Sequence, residues 1–180
     1  MNALLDRKSY EALFEAQIEK LRRMAFLFLH ERATAEDAVQ ETFTRGLAHL
    51  HTYQGGAKPD VWLYSIALNV CRAAYRKAQS REGQADTTRL DRGRGRGGAP
   101  RGPLTSLIRR ETATRLALAL GYLTDLQREV FVLHYVEELG YEAIAPMVGV
   151  STVGARGLAH RAKRVLRERL PANFALPGDR

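Results

Sequence analysis

The chain has 180 residues, 45% of them hydrophobic, and its 28 basic and 20 acidic side chains give a formal net charge of +8. This allows one ordinary domain or two small ones and excludes a disordered chain, while the single cysteine, Cys71, excludes an internal disulfide and a cysteine-rich zinc site. No run of about eighteen apolar residues could span a bilayer and the N-terminal stretch lacks the apolar core of a secretory signal, so a cytoplasmic setting is expected.

Leu13, Phe14, Ile18, Leu21, Ala25, Phe28 and Leu29 recur at helical spacing and predict a first helix over residues 9–30. Thr34 followed by Asp37 reads as a capping box that opens a second helix. Its apolar face runs Ala38, Val39, Thr42, Phe43, Gly46, Leu47 and Leu50, and its other face is acidic and amidic. Glycines and a proline make residues 51–59 a loop, after which Asp60 is placed to cap a third helix from Val61 to about Gln79. Cys71, among Ile66, Ala67, Val70 and Ala74, reads as a small core residue. Residues 1–79 thus form a bundle of three to four helices.

Residues 80–103 have almost no apolar content and repeat Arg-Gly; composition favours a solvated basic tether over an RNA-binding run. We take 80–110 as a linker, with helical pattern resuming near Leu104, and 111–172 as a second helical domain followed by a tail at 173–180. In that domain come Leu116, Leu118 and Leu120, then a capping box of Thr124 and Gln127, then a helix carrying Leu126, Val130, Leu133 and Val136. Tyr141, Ile144, Ala145 and Val148 define one face of a short helix, which Gly149 ends and Ser151 follows as the next cap. The last helix buries Ala155, Leu158, Ala159, Ala162, Val165 and Leu166, and presents Arg156, His160, Lys163, Arg164 and Arg167 as a cationic stripe. Two helices joined by so tight a turn, the second basic, read as a DNA-binding helix-turn-helix. The fold class is therefore all-α, with two small helical domains.

Charge supports two separate nucleic-acid contacts. Residues 1–60 carry 8 basic and 9 acidic side chains, 61–110 carry 11 and 3, 111–148 carry 2 and 6, and 149–180 carry 7 and 2. The third helix interleaves aromatic and basic residues: Trp62, Tyr64, Asn69, Arg72, Tyr75, Arg76 and Lys77. Unpaired bases stack on such rings while arginines hold phosphates. Trp62 and Tyr64 point about 200° apart on a helix, so one is expected in the core and the other toward a ligand, with the assignment open. The five histidines show no metal-binding spacing, and no phosphate loop, paired-carboxylate site or Ser/His/Asp order is evident. No cofactor, metal or catalytic residue is expected.

Four blocks in order resemble bacterial RNA polymerase sigma factors of the sigma-70 family, in the extracytoplasmic-function class: Thr34 to Phe43, Val61 to Asn69, Leu126 to Phe131, and Tyr141 to Ala145 with Gly149-Val150-Ser151. The resemblance covers about residues 10–79 and 112–170. It implies that Asp37, Gln40, Glu41 and Arg45 dock on the clamp helices of the polymerase β′ subunit, that the helix from Asp60 to Lys77 opens and holds the promoter −10 element as single strands, and that the helix from Ser151 reads the −35 element. There Ser151, Thr152 and His160 join Arg156 and Arg161, nearest the groove, with Lys163, Arg164 and Arg167 toward phosphates. It also implies contact with the polymerase β flap and control by an anti-sigma factor. Departures from the pattern are Pro146 inside the first helix of the helix-turn-helix, Gly154 and Gly157 early in the reading helix, Leu158 and Ser65 where arginine is frequent, and Lys58-Pro59-Asp60 before the tryptophan helix.

A non-catalytic initiation subunit is the expected function. The alternatives are a dimeric helix-turn-helix regulator with a ligand-sensing first domain, and an RNA-binding protein acting through its Arg-Gly run.

Overall fold

The computed structural model describes residues 5–83 and 104–179. The described residues are helical with no strand, and they fall into two compact units divided between Gly97 and Gly98. The Arg-Gly stretch lies outside the described residues. The helices on either side take in both ends of the expected linker, one running to Gly83 and the other starting at Leu104.

Unit 1 packs three helices pairwise: α1 (Arg7–Leu29), α2 (Arg32–Ala48) and α3 (Pro59–Gly83). The Asp6 carboxylate opens α1 by accepting the Ser9 N–H at 2.7 Å. The chain leaves α1 through His30 in a left-handed conformation (φ 59°) and re-enters a helix almost at once. Thr34 does not open α2. The helix begins at Arg32 with Glu31 in extended conformation at its cap, and the Thr34 hydroxyl donates to the Glu31 carboxylate instead. Asp60 is likewise inside its helix. Pro59 takes the first helical position, where a missing N–H costs nothing, and the Trp62 N–H reaches back to the Lys58 carbonyl at 3.1 Å.

The core of unit 1 comes from Tyr10, Leu21, Met24 and Leu27 of α1, Ala38, Val39 and Thr42 of α2, and Leu63, Tyr64 and Leu68 of α3. Gly46 sets how closely α1 and α2 approach. A Cβ there would lie 2.2 Å from the Tyr10 hydroxyl, which donates to the Phe43 carbonyl at 2.9 Å. Cys71 is buried, and desolvation pushes its thiol up to about 12.

Unit 2 contains α4 (Leu104–Leu120), α5 (Asp125–Phe131), a π turn at Val132–Val136, α6 (Tyr141–Val148) and α7 (Thr152–Arg169). The Thr124–Gln127 capping box is formed in both directions. Arg128, 3% exposed, turns its guanidinium onto the Leu120 and Leu123 carbonyls, satisfying acceptors left over at the end of α4. Leu126, expected in the core, is 40% exposed, and Leu118 is 52% exposed; Val130, Leu133, Ile144, Ala155, Ala159, Ala162 and Leu166 are buried. Gly149 takes φ 73° and ends α6, whose Pro146 sits on the exposed side of a two-turn helix. The Ser151 hydroxyl then accepts the Gly154 N–H at 3.0 Å and starts α7.

Candidate nucleic-acid interface

In unit 1 the open question between Trp62 and Tyr64 has a definite answer. Tyr64 is 2% exposed, with its hydroxyl 3.4 Å from the Gln17 side-chain oxygen, so its expected stacking on an unpaired base is corrected to a core role. Tyr75 points within about 20° of Tyr64, away from the Trp62 side of the helix, and is half-buried, so it too leaves the expected stacking face. Trp62 is half-buried and braced on two sides. The Tyr10 ring meets it edge-on at 6.2 Å and the Tyr53 ring at 5.6 Å. Tyr53 is itself fixed by burial and by donating to the Ala57 carbonyl at 2.7 Å, which pins the loop before α3. Burial raises the Tyr10 hydroxyl to about 12, so it remains a donor.

Asn69, Arg76 and Lys77, all exposed, project within about 60° of Trp62 on α3. Arg72 stands at the edge of the same face and donates to the Asn69 side-chain oxygen at 3.3 Å. One braced indole surrounded by polar and cationic groups suits a single stacked base with its flanking phosphates.

On α2, Asp37, Gln40, Glu41 and Arg45 are all exposed, and Arg45 pairs with Glu41 at 2.6 Å across one helical turn. Phe43, read as buried, is only half-buried. It forms part of the floor of an open groove of about 570 Å³ between α1 and α2, together with Phe14, Ile18 and Val39. Glu11, Glu15, Glu36 and Gln40 line that groove, and so does Arg22, which pairs with Glu36 at 3.2 Å. An apolar floor with an acidic rim matches an amphipathic, basic partner helix.

In unit 2 the cationic stripe of α7 divides into rows. Arg156, His160 and Arg164 follow one another at intervals of about 40° and are exposed. Val153, Gly157 and Arg161 form a second outward row, with the Arg161 guanidinium beside the Gly157 backbone and Val153 80% exposed. Arg156 and Arg161, both expected nearest the groove, diverge by about 140° and belong to different rows. Arg156 lies over the Tyr141 ring at 5.6 Å, and that ring stacks on His134 at 4.0 Å. Thr152 is half-buried at the start of the helix, and the Ser151 oxygen is already occupied as its cap.

Lys163 and Arg167 are not open cations. The segment after α7 folds back, and Asp179 bridges them: one carboxylate oxygen is 2.9 Å from Lys163 Nζ and the other meets the Arg167 guanidinium. The Lys163 hydrogen bond, reinforced by Arg167 and the Leu176 N–H, holds the Asp179 carboxyl down to about 2. This contact, the Trp62 brace, the α1–α2 groove and Val153 were absent from the sequence reading. Val153 alone had a signal there, as an apolar residue three positions before Arg156.

Residues 13–81 match the Sigma-70 region 2 family and residues 113–166 match Sigma-70 region 4. The chain is similar to the RNA polymerase sigma factor CarQ of Myxococcus xanthus, at 32% identity over 162 residues covering 90% of this chain and 89% of the relative. It is similar also to YlaC, an RNA polymerase sigma factor of Bacillus subtilis, at 28% identity covering 91% and 93%. Its fold resembles the sigma factor RpoE of Bartonella quintana, solved in complex with the anti-sigma factor NepR, with a TM-score of 0.73 at 24% identity over 92% of this chain and 99% of that one. Two helical units bearing regions 2 and 4 define a promoter-directing initiation factor. The chain belongs to the sigma-70 family, in its extracytoplasmic-function class.

Proposed function

We propose that residues 1–79 dock on core RNA polymerase and hold the melted −10 element, that 111–172 read the −35 element as duplex, and that residues 80–110 connect them. The observation that carries this reading is the difference between two basic helices, one built around a braced indole and the other presenting outward cations with no Phe, Tyr or Trp of its own. Trp62 stacks a flipped −10 base, while Asn69, Arg72, Arg76 and Lys77 contact its neighbours and the backbone. Arg156, His160, Arg161 and Arg164 face the −35 groove and its phosphates, and exposed Val153 meets an apolar base edge. Asp37, Gln40 and Glu41, beside the acidic-rimmed groove, take the polymerase β′ clamp helices, and the exposed Leu118 and Tyr122 of unit 2 suit the β flap.

The chain performs no chemistry of its own on this reading; the polymerase does. Among the described residues no helix is long and apolar enough to cross a membrane. On this reading the chain acts beside the polymerase in the cytoplasm. An anti-sigma factor would compete for the same α1–α2 groove. Run-off transcription with purified core polymerase on genomic fragments tests the proposal. Defined start sites that depend on the added chain are expected, and their absence on every fragment would overturn it.

A further inference from the structure

Resting on the reading of α7 as the duplex reader, we propose that Lys163 and Arg167 form a backbone-phosphate site that the chain's own Asp179 occupies, making residues 171–179 a tethered competitor of promoter DNA. The two cations lie four residues apart, on one row of α7 about 40° from one another. Asp179 offers one oxygen to each, as a phosphodiester offers its two non-bridging oxygens. With this carboxylate in place, Lys163 keeps 26% of its side-chain exposure and Arg167 42%, so both stay within reach of solvent and of a displacing anion.

The segment is seated by more than this charge pairing. Leu176 is 3% exposed and its N–H donates to Asp179 at 2.9 Å. Lys163 also donates to the Gly178 carbonyl at 3.1 Å, and Arg167 to the Phe174 carbonyl at 3.1 Å. Gly178 sits at φ 81° flat against Tyr135, where a Cβ would come within 2.4 Å of the ring. The same ring lies 5.2 Å from Lys163 Nζ. Buried leucine, glycine and aromatic ring thus fix the carboxylate over the cations. DNA must displace it to gain those two phosphate contacts, and the affinity of the reader is lowered by that competition.

The test uses the full chain and a −35 duplex mapped by run-off transcription, with affinity read by fluorescence anisotropy at low and moderate salt. Asp179→Asn removes the charge and keeps the shape, and Gly178→Ala lifts the segment from Tyr135 by a separate route. Both are expected to tighten duplex binding about three- to tenfold at low salt, with the gain shrinking as salt rises. Adding Lys163→Gln and Arg167→Gln to the Asp179→Asn chain should remove the gain. Unchanged or weaker binding by Asp179→Asn would reduce the segment to a structural brace and overturn the proposal, while leaving the sigma-factor reading intact. A wild-type chain that initiates nowhere and binds no promoter duplex would overturn both.

Discussion

The two basic helices, α3 and α7, are packed in opposite ways. Around α3 the packing is spent on holding one ring: Tyr10 and Tyr53 clasp Trp62 from either side, while Tyr64 and Tyr75 turn to the other face. Around α7 the outer rows stay exposed, Arg156 alone among them lying over a ring, that of Tyr141, while Tyr135 and Asp179 hold Lys163 and Arg167 on the flank. A base that has left its partner needs a rigid surface to stack on, and a paired groove needs reach and charge. The same residue types therefore read differently according to which of them the core immobilises.

The most severe way to break the contrast is Gly46→Ala, whose new Cβ would overlap the Tyr10 hydroxyl. Overpacking of this kind costs about 1–3 kcal/mol or more, and it should lower the unfolding midpoint of unit 1 in urea while that of unit 2 stays put. Next is Trp62→Ala. Loss of one base stack is expected to reduce promoter opening by roughly tenfold or more, read as permanganate reactivity of −10 thymines in the holoenzyme, with −35 duplex affinity unchanged. The converse double change, Arg161→Ala with Arg164→Ala, should spare single-stranded −10 binding. It should weaken −35 duplex binding most at low salt and make the salt dependence shallower by about two phosphate equivalents. The smallest effect concerns Cys71. With its thiol raised to about 12 by burial, a thiol reagent at pH 8 should leave the native chain unlabelled and react only as unit 1 unfolds, giving a marker for that unit alone.

Helical periodicity placed most of the helices and the helix-turn-helix, because the apolar stripes of α1, α2, α6 and α7 are also the faces the core uses. Capping was less legible. Thr34 and Asp60 carry the right side chains, but Glu31 and Pro59 stand ahead of them and start each helix earlier. The 3.6-residue repeat put Trp62 and Tyr64 on opposite sides without saying which side faced inward; that depended on α1 supplying Tyr10 and Gln17 from more than forty residues away. Lys163 and Arg167 look like any solvated cations in a linear stripe. Their pairing with Asp179 is a tertiary contact across a segment punctuated by Pro171 and Pro177, and no local pattern announces it. Leu118 stands two positions from buried Leu116 and Leu120, on the opposite side of α4, and Leu126 lies in the first turn of the short α5, so both stay exposed.

Tyr10 touches both candidate surfaces of unit 1. Its hydroxyl is anchored to the backbone of α2 at Phe43, on the floor of the groove, and its ring abuts the Trp62 indole. A tilt of α2 under a docked partner would therefore be felt at the indole through a single rigid phenol. On the proposed reading, docking at that groove and capture of an extruded nucleotide at Trp62 would be linked through this one side chain.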